Sequence, residues 1–340
     1  MTGRTRAFAV VSAVLVLAMV GYVGVAIVRG ANSASGQASA AGANRADHGP
    51  TLATLLRQPH LLFLQPSLTD RTKNELVVTS LAAPGSERFI TGLHCSRVYT
   101  VATHGICMGE NYDGLTHLVD ATLNRGISFV QPGLASRARV SPDGRWAATT
   151  VFVVGHSYAV TGFSTQTLII EIASGVAINL ESFAVSRNGR PFDSPDFNYW
   201  GVTFAGGSSF YATLGTGGHT YLIKGDIARR TATALRDGVE CPSLSPDGTR
   251  IVYKAAVAGS MARQWRLHLL DLRTMADKAL GETRSVDDQA EWLDNQTVLY
   301  GLEAPPTLDV NLWSLPVDGG PPTLYLRHAA SPAVVRTSSP

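Results

Sequence analysis

The sequence is short of most features from which chemistry is read. Only four of its 28 basic residues are lysine, and its formal net charge is +2 with both signs dispersed. That balance is not the footprint of a nucleic-acid-binding surface. There is no His-Glu-x-x-His, no Cys-x-x-Cys pair and no phosphate-binding glycine loop, so the motif-based zinc-protease and nucleotide-binding readings fall away. The nearest approach to a nucleophile elbow is Gly155-His156-Ser157-Tyr158-Ala159, after the apolar run Val151 to Val154. No helical pattern follows it and no α/β-hydrolase domain accompanies it, so Ser157 is not read as catalytic. The triplet Asn295-Gln296-Thr297 falls on an expected hairpin turn, where Asn is at home without glycosylation.

What the sequence does contain is one tetrapeptide twice: Ser141-Pro142-Asp143-Gly144 and Ser245-Pro246-Asp247-Gly248. Each lies between apolar alternating runs. Pro fixes one backbone angle and Asp-Gly tolerates the positive φ of a tight turn, so each copy reads as strand, turn, strand. Shifted along the chain, Pro242 to Tyr253 matches Gln289 to Tyr300, and Trp200 to Tyr211 falls in the same frame. A third alternating run follows each pair, as in Trp265 to Leu272 and Asn311 to Leu315. A short outer strand completes the unit. Four strands recurring at about 40–55 residues describe a β-propeller blade.

Six blades are counted. Four start near Leu134, Phe183, Val239 and Thr283, and one spans Ser96 to Val130. His60 to Ile90 supplies three strands, and Pro332 to Val335 supplies the missing inner strand from the other end of the chain. That closure hides the open edges of the ring. Seven blades would need a shorter repeat, and a β-sandwich would lack this periodicity. The expected fold is all-β, a six-bladed propeller over residues 57–336.

Leu244 to Tyr253 followed by Leu270-Asp271-Leu272 resembles the TolB-like, WD-type propeller repeats. The stretches Ser136 to Val140, Phe197 to Phe204 and Ser285 to Gln289 are also similar to membrane-tethered TolB-like propellers of high-GC Gram-positive bacteria. A scarcity of Lys beside Arg agrees with a GC-rich genome. TolB itself carries a small α/β domain before its propeller and partners a peptidoglycan-associated lipoprotein in the periplasm. Residues 31–56 are too few for that domain, so the resemblance implies the fold and not that role.

Ala7 to Val28 is an uncharged, mostly apolar run preceded by Arg4 and Arg6. It is long enough to cross a bilayer core of about 30 Å, and the charge bias keeps the N-terminus inside. The Ala-x-Ala candidates, such as Ala38-Ser39-Ala40, lie well past the run. The expectation is therefore an uncleaved signal anchor over residues 1–30, with cleavage as the alternative. An Ala/Ser/Gly-rich tether follows over residues 31–56, and residues 337–340 form a disordered tail. This places a single-pass protein in the cell membrane, its monomeric propeller on the extracytoplasmic side. Three cysteines suit such an oxidising compartment. Cys95 and Cys107 flank the first hairpin of the second blade and are expected to bridge. Cys241 is left over, reading as a small buried apolar side chain.

One constellation is a candidate site. The blade alignment puts Ser136, Asn198, Glu240 and Asp287 at one register, and Arg137, Tyr199, Cys241 and Asp288 at the next, with Arg139 deeper on the strand of Arg137. Equivalent positions of inner strands ring the channel. Arg137, Arg139, Asn198, Glu240, Asp287 and Asp288 are expected to converge there. They would tie blades together, bind a ligand or partner, or hold a Ca²⁺ through oxygen ligands. The second candidate is the loop from Asn188 to Asn198, with Phe192, Asp193, Asp196 and Phe197 as contacts, because propeller loops carry partner sites. The reading is a non-enzymatic scaffold that binds a protein or envelope component and needs no cofactor. The alternative is an axial-metal hydrolase or lyase acting on a small molecule or cell-wall glycan.

Overall fold

The computed structural model describes residues 51–66, 74–109, 114–153, 164–259, 263–305 and 309–336. The apolar run Ala7 to Val28, the elbow at Ser157 and the tail from 337 lie outside them. Among the described residues no helix is long and apolar enough to cross a membrane.

Six antiparallel-built sheets make six blades. Blade I joins Ala330–Val335 to His60–Pro66, Asn74–Ser80 and Phe89–His94. Blade II is Arg97–Thr100, His104–Met108, Leu115–Asp120 and Arg125–Val130. Blade III is Leu134–Val140, Trp146–Val153, Ser164–Glu171 and Ala177–Asn179. Blade IV is built on Asn198–Phe204, Ser209–Thr216, His219–Asp226 and Thr231–Asp237. Blade V is Glu240–Leu244, Arg250–Ala256, Trp265–Asp271 and Asp277–Ala279, and blade VI is Glu291–Trp292, Thr297–Ala304, Asp309–Pro316 and Thr323–Leu326.

The second strands read as continuous apolar runs because both of their faces are covered by neighbouring blades. Leu61, Leu62, Phe63 and Leu64 are all buried. Leu62 and Leu64 pack with Val98 and Cys107 of blade II, whereas Leu61 and Phe63 pack with Leu299 and Leu312 of blade VI. Each such side chain contributes about 1.5–3 kcal/mol by leaving water. The ring closes as the sequence implies: His60, Leu61 and Leu62 pair with Val335, Val334 and Ala333.

The two tetrapeptides fold alike. Ser141 Oγ donates to Asp143 and accepts from the Trp146 amide at 2.8 Å. Ser245 Oγ donates to Asp247 at 2.6 Å and accepts from the Arg250 amide at 3.0 Å. The Gly144 and Gly248 amides close each turn on the Ser carbonyl at 2.8 Å, with φ of 71° and 72°. Ser, Asp and Gly each hold one part of the turn, which is why the repeat survives as a tetrapeptide.

Two boundaries differ from the sequence expectation. Leu52–Leu56 form a short helix capped by the Thr51 side chain, and Leu55 is buried against Leu62, Leu76 and Val98. The last residues assigned to the tether thus belong to the folded unit, because Leu55 finds an apolar seat on blade I. Blade IV has six strands, not four. Ala184–Arg187 runs parallel to Thr231–Asp237 and turns back through Arg190–Pro191. Asn188 and Gly189, with φ of 53° and 73°, make that turn, and Asn-Gly is the strongest short hairpin signal.

Cys95 and Cys107 are bridged with Cα atoms 5.4 Å apart, joining the entry of blade II to its second strand. Cys241 is free and buried.

Candidate functional site

Blades III and VI face each other across a six-membered ring, so a contact between their inner segments must cross the axis. Two such contacts exist. Arg137 Nη2 lies 3.7 Å from Asp287 Oδ1, and Arg139 Nη2 lies 3.6 Å from Glu291 Oε2. Arg137 and Arg139 are two residues apart on one strand, so their side chains leave the same face and stack along the channel. The channel is therefore barred at two levels.

The deeper level draws in blades I and II as well. Arg139 also donates to the Ala290 carbonyl at 2.9 Å and lies over the Tyr99 ring, 4.6 Å from its centre. Glu291 accepts from Tyr99 Oη at 3.1 Å and from the Val334 amide at 3.3 Å. Burial pushes the Glu291 carboxyl above its ordinary range, with Arg139 opposing that shift only in part. Burial likewise raises the Tyr99 phenol. Beside this level a cavity of about 370 Å³ opens between the tetrapeptide turns, walled by Arg139, Trp292, Arg336 and Asp247.

The shallower level is richer in charge. Asp287 pairs closely with Lys254, whose side chain is 3% exposed and lies over the Trp265 ring. Burial acts to raise the Asp287 carboxyl, but Lys254 and Arg137 outweigh it and hold it below its ordinary value. Buried Glu240 accepts from Arg263 at 2.7 Å. Burial opposes the Arg137 charge, yet the Asp288 and Asp287 carboxylates beside it outweigh burial and raise its pKa. Arg97 donates to the Ser136 carbonyl at 2.8 Å, and burial with the Arg137 charge nearby lowers its pKa.

Of the six expected channel residues, Arg137, Glu240 and Asp287 border one cavity of about 100 Å³. Asp288 stands beside it, accepting from the Gln289 and Gly301 amides at 2.9 Å. Arg139 lies on the axis but at the deeper level, with Glu291. Asn198 does not join them. Its side chain caps the Thr165 amide at 2.8 Å and stitches blade IV to blade III. The reason is local: inner strands carry β-bulges between Trp200 and Thr203 and between Glu240 and Ser243, with φ of 63° at Gly201 and 49° at Cys241. A bulge re-aims the side chains before it, so identical registers in sequence are not identical directions in space.

The sequence reading missed Glu291, Tyr99, Lys254 and Arg263. Glu291 had a signal, a lone carboxylate inside the apolar stretch Ala290 to Leu293. Lys254 lies on a second strand, not on the inner strands that ring the channel.

The loop candidate packs on its own blade. Phe192 and Phe197 stack edge-on at 5.2 Å and reach Tyr221 and Tyr199. Asp196 accepts from Ser194, Thr216 and the Gly217 amide, which hold it at about 2. Only Asp193 of the four is exposed. Phe192 and Phe197 are half-buried against the core of blade IV.

A Ca²⁺ does not fit the donor set. Around the shallower level Arg97, Arg137, Lys254 and Arg263 outnumber Glu240, Asp287 and Asp288, and two of the three carboxylates are held by cations. Among the described residues no group of three or more His, Cys, Asp or Glu is placed to hold a metal.

No protein-family model matches the chain, and no curated protein does. Among solved structures it is similar to TolB from Acinetobacter baumannii, at 16% identity and a TM-score of 0.57, over 81% of this chain and 66% of that one. The chain thus spans just under two thirds of that protein. Putative TolB from Agrobacterium tumefaciens is similar at 14% identity and a TM-score of 0.50, over 81% and 91% of the two chains. A protein of unknown function from Bacteroides caccae is similar at 13% identity and 0.50, over 82% and 99%. With the six-sheet ring and its closing strand, these likenesses establish a TolB-like six-bladed β-propeller fold.

Proposed function

We propose that this protein is a non-enzymatic scaffold: a propeller anchored in the cell membrane by Ala7 to Val28, facing the extracytoplasmic side, that binds a protein or envelope component. The observation that carries the reading is the pairing across the axis. Arg137 with Asp287 and Arg139 with Glu291 bar the channel, and a barred channel favours a surface over a passage or an axial reaction centre. Charged groups in a confined space are either paired or functional, and here they are mostly paired. The anchor reading rests on the length of the apolar run and the arginines before it. The alternative, an axial-metal hydrolase or lyase, is disfavoured by the cation-rich donor set.

Cross-linking of the full chain in host membranes, followed by identification of the attached component, tests the binding role. A specific adduct that persists after chelator treatment is expected. Stoichiometric metal in the purified chain together with hydrolytic turnover would sink the scaffold reading. Protease added to wall-stripped cells tests the topology: the propeller should be cut, and full protection contradicts the extracytoplasmic assignment.

A further inference from the structure

We propose that the small cavity beside Arg137 is a binding site for a single carboxylate group, carried by a small organic acid or by the end of a larger chain. This goes beyond the scaffold reading and does not depend on it.

The cavity of about 100 Å³ is bordered by Arg137, Lys254 and Arg263 and by the rings of Phe152, Trp200 and Trp265. A water occupies about 30 Å³ in the liquid and drug-sized pockets begin at about 300 Å³, so the space suits a group of a few heavy atoms. Across this level four cations, Arg97, Arg137, Lys254 and Arg263, face three carboxylates, Glu240, Asp287 and Asp288, which leaves one positive charge. Lys254 is engaged by Asp287 and Arg263 by Glu240. Arg137 is the group left short. Its Nη1 donates to the Ser136 carbonyl at 2.8 Å and to the Ser136 hydroxyl at 3.4 Å, its Nε has no acceptor, and its Nη2 is 3.7 Å from Asp287, too far for a hydrogen bond.

A guanidinium fork and a carboxylate match in geometry as well as charge. A monoanion balances the site, whereas a dianion would meet Glu240 and Asp287 with one positive charge too few. The apolar remainder of the acid would lie against the indole rings, whose faces offer area without demanding hydrogen bonds.

The test follows indole N–H signals of the full-length chain in ¹⁵N spectra, at constant ionic strength, with sodium propionate and with propionamide. Trp200 and Trp265 signals, assigned by Trp→Phe changes, should shift saturably with propionate in the millimolar range or tighter. Those of Trp146, Trp292 and Trp313 should stay, and propionamide should move none. Arg137→Gln should weaken binding at least about tenfold. Lys254→Met should weaken it as well, because it frees Asp287 to occupy Arg137. A short peptide with a free C-terminus and its C-terminal amide distinguish the sources. Tighter binding by the peptide acid than by propionate points to a chain end, and binding of propionate alone to a free small acid. Equal shifts with propionamide, no saturation by propionate or the peptide acid, or unaltered binding in either folded variant would overturn the proposal.

Discussion

Arg139 of blade III and Glu291 of blade VI meet across the propeller axis at 3.6 Å, with Tyr99 of blade II bonded to the same carboxylate. Three blades are thereby tied by one buried charge. Removing the arginine leaves that carboxylate unpaired. Arg139→Leu should cost about 3–5 kcal/mol at neutral pH, measured by urea unfolding. Burial raises the Glu291 pKa in the folded state. The stability linked to its protonated form is therefore complete below the unfolded pKa and lost as pH rises through the folded one. The deficit of Arg139→Leu should accordingly shrink on acidification. A deficit independent of pH would mean that Glu291 is not its source.

Glu282 behaves in the opposite sense. Its side chain is buried and accepts from Arg284 Nη2 at 2.6 Å, from the Arg284 amide at 2.8 Å and from Tyr300 Oη at 2.5 Å. Burial acts to raise it, but these donors outweigh burial and bring it from 4.5 to about 2. The stability it lends is present above its unfolded pKa and lost as pH falls through the folded one, between about 4.5 and 2. Glu282→Gln should cost roughly 2–3 kcal/mol at pH 7, somewhat less if solvent screens half-exposed Arg284. The loss should vanish toward pH 2. Parallel acid profiles for variant and parent would contradict this.

The paired turns offer an internal control. Gly144 and Gly248 share the same φ, but a Cβ at Gly144 would collide with the Thr103 hydroxyl, whereas one at Gly248 meets nothing within 4 Å. Gly248→Ala should cost only the left-handed backbone term, roughly 1–2 kcal/mol. Gly144→Ala should cost more, since Thr103 must also move. Thermal melts of the two variants make the comparison, and equal losses would show that the collision relaxes freely.

Cys95 and Cys107 close a short loop, twelve residues apart in sequence. Replacing both by Ala should lower stability by at most about 3 kcal/mol, read from denaturant midpoints without reductant. Adding reductant to the parent should reproduce most of that loss.

The ring was legible because turn chemistry is local. Ser-Pro-Asp-Gly between two alternating apolar runs favours a hairpin turn, and two copies set the frame for the rest. The closing strand was legible because blade I lacked a partner for Leu61 to Leu64. The extra hairpin of blade IV was missed although Asn188-Gly189 announced it, since a parallel pairing to Thr231–Asp237 leaves no local trace. Register found the axis but not every direction: beside the bulge at Gly201, Asn198 turns toward Thr165. Lys254 became visible only in three dimensions, because its partner Asp287 comes from a neighbouring blade.

The pairing of His60–Pro66 with Ala330–Val335 also sets the order of events as the chain folds. The propeller's first strand must wait for its last. Blades II to V can form from sequence neighbours, each from local hairpins, while blade I keeps an apolar edge bare until Ala330–Val335 is in place. Contacts of such sequence separation form slowly, and an exposed strand edge is open to other chains meanwhile. The seam between the first and last strands is therefore where folding of this propeller should be slowest and where a nascent copy is most open to exchange with its neighbour.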